Sequence, residues 1–163
     1  MADSNMTDDR EPAHTAGPAL NGLEAFIGEW SMEARFPGSP PSGPQGRTVF
    51  EWLPGRRFLI QRWEAPHPAA PDGLAIIGSD PDRKAYVQHY YDSRGVARIY
   101  AMTFDDGVWR LLRDTSDFSP LDFSQRFTAE FNLSGDEIHG SWETASDGTN
   151  WQHDFELVYA RLR

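Results

Sequence analysis

From Phe123 to Tyr159 the chain is written in twos. Phe123, Gln125, Phe127, Ala129, Phe131 and Leu133 alternate with Ser124, Arg126, Thr128, Glu130 and Asn132. Ile138, Gly140, Trp142 and Thr144 then alternate with Glu137, His139, Ser141 and Glu143, and Trp151, His153, Phe155, Leu157 and Tyr159 with Gln152, Asp154 and Glu156. A period of two places each set on its own side of a pleated strand. Such a chain folds into a sheet with one wet face and one covered face. The same pattern occurs near the start, where Trp30, Met32, Ala34 and Phe36 alternate with Glu29, Ser31, Glu33 and Arg35. Before it, Leu20–Ile27 has the apolar spacing of a short helix, which Gly28 ends.

Between these clear strands the pattern predicts six more, near 47–53, 57–65, 73–79, 85–92, 96–104 and 108–114. Their alternation is weaker, and it leaves open which of their residues face inward. The connections are informative. Pro54-Gly55-Arg56, Asp80-Pro81-Asp82-Arg83, Asp105-Asp106-Gly107 and Ser134-Gly135-Asp136 are tight hairpin turns. They take turns with longer linkers at 37–46, 66–72, 115–122 and 146–150, with one short exception at Asp92-Ser93-Arg94-Gly95. In an up-and-down meander alternate connections lie at opposite ends. The expected fold is therefore all-β: a closed up-and-down antiparallel barrel of about ten strands. The short N-terminal helix plugs the tight-turn end, and the long loops rim the other. Trp30 is expected on the floor, facing Leu157 and Tyr159 across the seam between the first and last strands, with Met32, Ala129, Phe131, Leu133 and Ile138 beside it.

Inward residues near the long-loop end form the candidate binding set. They are Gln61 or Arg62, His89 or Tyr91, Arg98, Arg113, Gln125, Trp142, Trp151 and His153. Mostly apolar walls with a few placed polar groups are the character of a small-molecule site. Each has a plainer reading beside it. An inward Arg near a strand end can pair with a loop carboxylate, and Asp114, Asp117 and Asp122 are available. A lone inward His is more often a hydrogen-bonded wall residue than a ligand. His139 should point to solvent, and His67 is on a loop.

Composition narrows the classes. The chain has 163 residues and a formal charge of −10, which disfavours a phosphate-backbone partner. Aromatics are 13% of the chain, a load suited to strands around a wide interior. With no cysteine there is neither a disulfide nor a thiolate metal site. No apolar run approaches membrane-spanning length, and the first 19 residues are polar and acidic. Residues 1–19 are expected to be a disordered tail, residues 20–163 a single domain, and the location cytoplasmic. Neither a dinucleotide fingerprint, a phosphate loop, a nucleophile elbow nor a zinc spacing occurs, so no metal is expected.

Leu23-x-x-Phe26-Ile27-Gly28-x-Trp30, followed by Leu53-Pro54-Gly55-x-x-Phe58-Leu59 and Asp72-Gly73-x-x-x-Ile77-Gly78, resembles the DUF1579-like proteins. These are bacterial members of the calycin, or lipocalin-like, barrels. The resemblance spans about residues 20–163 and implies a ten-stranded barrel with no established activity. A more distant resemblance is to nitrobindin, which implies a haem barrel with a His ligand on a late strand. There His153 would be the ligand, although the Gly-x-Trp-x-Gly-x-Gly run expected of nitrobindin is here Gly28-Glu29-Trp30-Ser31-Met32-Glu33-Ala34.

Three functions compete on this reading. The first is a module binding a small apolar or amphipathic molecule through Arg62, His89, Tyr91, Arg98, Arg113, Gln125, Trp142, Trp151 and His153. The second is a cofactor-independent isomerase, cyclase or hydrolase pairing His153 or His89 with an Arg. The third is a haem protein. No nucleic-acid or membrane partner is expected, and monomer and homodimer are both open.

Overall fold

A computed structural model of the protein describes residues 20–67, 70–83 and 85–163. The expected tail at 1–19 lies outside the described residues. A 3-10 helix, Leu20–Phe26, precedes ten strands. These are β1 (Gly28–Arg35), β2 (Gly46–Trp52), β3 (Leu59–Glu64), β4 (Gly73–Asp80) and β5 (Ala85–Asp92). They continue with β6 (Ala97–Asp105), β7 (Val108–Arg113), β8 (Ser124–Phe131), β9 (Glu137–Ala145) and β10 (Gln152–Arg161). Every strand pairs antiparallel with its neighbours in sequence, and β10 closes onto β1. Closure removes the unpaired edges that an open sheet would expose.

The turns match their chemistry. Asp106 and Gly107 both have positive φ, 49° and 74°, the two-residue turn whose twist suits the strands it joins. The helix lies at the tight-turn end: Glu24 takes a hydrogen bond from Trp52 Nε1 (3.2 Å) and pairs with Arg56 in the β2–β3 turn. At the other end the β3–β4 loop meets the β5–β6 turn, where Ser93 N donates to Asp72 O (2.8 Å).

The floor is built around one ring. Phe26 enters the closed end and sits 4.8–5.2 Å, centroid to centroid, from Phe50, Phe104, Trp109 and Phe131. Three of these contacts are edge-on, the arrangement that aromatic quadrupoles favour. Trp30 Nε1 donates to Phe26 O at 2.8 Å, so the indole that starts β1 holds the helix end in place. Arg161 completes the joint. Its guanidinium lies 4.0 Å from the Trp30 ring centroid and donates to Ala25 O, Ile27 O and Gly135 O. It thus satisfies carbonyls that the end of a helix leaves without partners. Gly28 is required there: its φ is +129°, and a Cβ would stand 2.4 Å from Arg163 O, where the C-terminal segment crosses.

Three floor expectations need correction: Met32, expected beside Trp30, stands with Leu157 in the upper half, where both keep part of their surface open. Trp30 pairs with Arg161, whereas Met32 and Ala34 face Tyr159 and Leu157. Leu133 is fully exposed, because β8 ends at Phe131. Asn132 then turns the chain, its Oδ1 accepting from Asp136 N and Glu137 N.

Phe26→Ala and Trp30→Ala should each lower stability by about 3–5 kcal/mol, the usual cost of an aromatic-sized cavity. The check is the urea unfolding midpoint; an unchanged midpoint in either variant would contradict the floor assignment.

Candidate functional site

Cross-strand partners share a face, so the register fixes the inward set for the strands whose alternation was ambiguous. Phe50, Gln61, Ala75, Tyr90 and Arg98 follow one another across β2–β6 and face inward. So do Ile77, Gln88 and Tyr100. Leu111, Phe127, Trp142 and Phe155 continue around β7–β10, and above them Arg113, Gln125, Thr144 and Gln152.

The interior changes character along its axis. In the lower half Trp30, Met102, Ala129 and Ile138 are wholly buried. In the upper half Met32, Ala34, Trp63, Tyr90, Trp142, Phe155 and Leu157 also face inward but keep part of their surface open. They line an aromatic and aliphatic wall that solvent reaches. Trp63 stacks on Tyr90 (5.2 Å, 27°), Tyr90 meets Tyr100 edge-on, and Tyr100 meets Trp142 at 5.6 Å. Trp63 lies across Gly73, where a Cβ would come within 1.9 Å of the indole, and its Nε1 donates to Pro71 O. Phe36 stacks on Phe155 at the rim.

Polar groups collect in this upper half. Arg113, 2% exposed, is clamped by Asp117 through two hydrogen bonds of 2.7 and 2.8 Å. Arg113 holds the Asp117 carboxyl well below the usual range against the opposing effect of burial, helped by the backbone N–H groups of Ile99 and Ser119. The pair straps the β7–β8 loop across part of the mouth. Arg98 Nη1 reaches Ser119 Oγ in the same loop (3.1 Å) and has no carboxylate partner among the described residues. Tyr100 donates to Gln125 Oε1 (3.0 Å), and burial pushes its pKa up to about 12. Tyr90 donates to Asp92 (2.7 Å). Burial acts to raise the Asp92 carboxyl, but hydrogen bonds from Arg94 and Tyr90 override it and bring it to about 2. Deeper in, Gln61 Nε2 reaches Thr48 Oγ1 (3.3 Å). Gln88 is 3% exposed, and its buried Oε1 has no hydrogen-bond partner among the described residues. A cleft of about 250 Å³ opens at the rim, lined by Phe123, Thr144, Ser146 and Gln152.

Of the expected site residues, Arg98, Arg113, Gln125 and Trp142 are brought together in this interior. Arg113 takes the plainer of its two readings, as the partner of a loop carboxylate. The other five lie elsewhere. Arg62 is outward and paired with Glu51, because Gln61 takes the inward position. His89 and Tyr91 are outward, because Tyr86, Gln88 and Tyr90 are inward. The β5 segment carries apolar or aromatic residues on both faces, so periodicity could not choose. His153 and Trp151 are displaced by a β-bulge between His153 and Phe155. One extra residue in a strand reverses the facing of everything before it. Gln152 now opposes inward Thr144, and His153 opposes outward Glu143. His153 Nδ1 meets Ser141 Oγ on the outer surface, and Trp151 lies under the Arg126 guanidinium, 4.3 Å from its centroid. The run Gln152-His153-Asp154 was the available signal, since three consecutive polar residues break the alternation. Sequence reasoning missed Trp63, Gln88, Tyr90 and Tyr100, and left Asp117 as one of three loop carboxylates open to Arg113.

These positions decide which chemistries the interior can hold. His89, His139 and His153 all face outward, so the residues present do not fit a haem ligated by His153 inside the barrel. The wall of the barrel also separates either candidate His base from Arg98 and Arg113. Among the described residues no His, Cys, Asp or Glu side chains group as a metal site. Among them, too, no helix is long and apolar enough to cross a membrane.

No protein-family model matches the chain, and no curated protein matches it in sequence. Among solved structures, the crystal structure of Rv2717c from M. tuberculosis is similar, with a TM-score of 0.59 and 18% sequence identity. The alignment covers 90% of this chain and 98% of that one. At that identity the likeness shows the fold, a ten-stranded barrel.

Asp117→Asn leaves Arg113 buried without its counter-charge and should cost about 3–5 kcal/mol at neutral pH. Because the folded carboxyl is held below its unfolded value of about 3.9, its contribution is present above that value and fades as pH falls through the folded one. The stability gap between wild type and Asp117→Asn, read by chemical denaturation, should therefore narrow with acidification below about pH 4. A gap independent of pH would count against this assignment.

Proposed function

We propose that the protein binds a small apolar or amphipathic molecule in the upper half of the barrel. The observation that carries this is the partial exposure of inward-facing apolar side chains there, from Met32 and Trp63 to Trp142 and Leu157, above a floor in which Trp30, Met102, Ala129 and Ile138 are wholly buried. The polar groups among it give the ligand its second character. Arg98, without a carboxylate partner, suits a carbonyl or acidic group. Gln88 Oε1, buried and unpartnered, suits a hydroxyl or N–H donor.

Native mass spectrometry of protein purified from its own host should show a co-purified small molecule. Anilinonaphthalene sulfonate should bind saturably, be displaced by that molecule, and quench tryptophan fluorescence less in Trp142→Ala. Gln88→Leu should weaken the co-purified ligand by about tenfold while raising the melting temperature of the empty protein, since it removes an unpaired buried acceptor worth about 1–3 kcal/mol. Absence of both a co-purified molecule and saturable probe binding would overturn the proposal.

A further inference from the structure

Two guanidiniums, Arg98 and Arg113, face into the mouth of the barrel, and among the described residues only Arg113 has a carboxylate. That carboxylate is fully engaged. Asp117 Oδ1 accepts from Arg113 Nη2 (2.8 Å) and Ser119 N (3.3 Å), and Oδ2 from Arg113 Nε (2.7 Å) and Ile99 N (2.9 Å). A carboxylate offers about four acceptor sites, so none is left for a second guanidinium. Asp92, whose side chain is wholly buried where β5 ends, is engaged too. Its Oδ2 accepts from Tyr90 Oη and Arg94 Nη2, both at 2.7 Å, and its Oδ1 from Arg94 N (2.9 Å) and Val96 N (3.3 Å). Asp114 and Asp122 of the β7–β8 loop are exposed to water. The hydrogen bond that half-buried Arg98 does make goes to a neutral hydroxyl, Ser119 Oγ, which also lies 3.5 Å from Arg113 Nη2.

Resting on the small-molecule reading of the upper barrel, we propose that its ligand is a compact carboxylate, with the anionic head on the Arg98 guanidinium and the apolar body against Trp63, Tyr90 and Trp142. A half-buried cation beside an apolar wall is costly to leave without a counter-charge. A carboxylate meets a guanidinium through short, charge-assisted hydrogen bonds that the Ser119 hydroxyl does not match. A neutral carbonyl would leave the charge uncompensated. The groups beside Arg98 suit the same head. Tyr100 donates to Gln125 Oε1, and the Gln125 amide N–H groups make no hydrogen bond among the described residues, so they are further donors. Arg98 and Arg113 are both close enough to act on the Tyr100 hydroxyl, against the burial that raises it, which puts Arg98, Tyr100 and Gln125 in one cluster. The chain's charge of −10 repels anions at a distance, but salt screens that field beyond about 8 Å, whereas Arg98 meets the head at contact. The depth of the site limits the body. From Arg98 to wholly buried Met102 the β6 strand rises about 13 Å, or about 10 Å along the axis of a barrel with ordinary strand tilt. The rim cleft at Thr144, the cross-strand partner of Gln125, measures about 250 Å³, below the usual range of ligand pockets. A body of one ring fits this space, and a long acyl chain does not.

The test is isothermal titration calorimetry on the full chain, at neutral pH and physiological salt, with phenylacetate, phenylethanol and phenylethylamine. The three share one apolar body and differ in the charge of the head. Phenylacetate should bind at least about tenfold tighter than phenylethanol, the effect of one charge-assisted hydrogen bond, and phenylethylamine more weakly than either. In Arg98→Met, with its fold checked by circular dichroism, the ratio of phenylacetate to phenylethanol affinity should collapse toward one. Arg98→Gln serves the same purpose if Arg98→Met does not fold. Equal affinity for the acid and the alcohol in the wild type, or a ratio unmoved by loss of the guanidinium, would overturn the choice of a carboxylate. So would saturable binding of anilinonaphthalene sulfonate with none of the three compounds bound, and that result leaves the small-molecule reading standing. Failure of the dye as well as the three compounds would overturn both.

Discussion

The barrel depends on the seating of Phe26. Its ring joins residues from β2, β6, β7 and β8 at a point that none of those strands could fill alone. Closing ten strands leaves a lumen wider than the side chains on its wall can fill unaided at the floor. The helix delivers the missing volume, and Trp30 and Arg161 hold it there through hydrogen bonds to its carbonyls. These contacts join the two ends of the chain, since Arg161 lies on the last strand and Phe26 just before the first. Closure of the sheet and plugging of the floor are therefore one event, in which long-range contacts complete a structure whose other pairings are between neighbours in sequence.

With the floor sealed by aromatic packing, polar side chains that face inward need partners there, from a loop or from one another. Arg113 shows the first solution: the β7–β8 loop folds back and Asp117 neutralises it inside the barrel. Tyr100 and Gln125 show another, satisfying each other across the upper wall. Gln88 Oε1 has no hydrogen-bond partner among the described residues, as Trp109 Nε1 has none. The aromatic arc from Trp63 to Trp142 lies beside these polar groups.

Strand number, the alternation of short and long connections, and the helix at the tight-turn end were all legible in the chain. So were inward Arg98, Arg113, Gln125 and Trp142. What misled was specific. In β5, Tyr86-Val87-Gln88-His89-Tyr90-Tyr91 offers an apolar or aromatic residue to each side, because the outer face there is itself apolar. In β10, counting back from Phe155 in twos put His153 and Trp151 inside, and the bulge at Asp154 turned both out. The haem reading rested on that count, and the acid–base reading on it and on the facing of His89 in β5.

Local chemistry determined the strands, since alternation, turn residues and the terminating Gly28 act within a few residues of one another. It also determined that one end would be loop-rimmed. Facing, where both sides of a strand are plausible, was decided only by the tertiary structure. Each strand takes its register from two neighbours, and the bulge between His153 and Phe155 shows only in the β9–β10 ladder. The partner of Arg113 was decided the same way: three loop carboxylates were within reach in sequence, and only folding of the β7–β8 loop into the mouth selected Asp117.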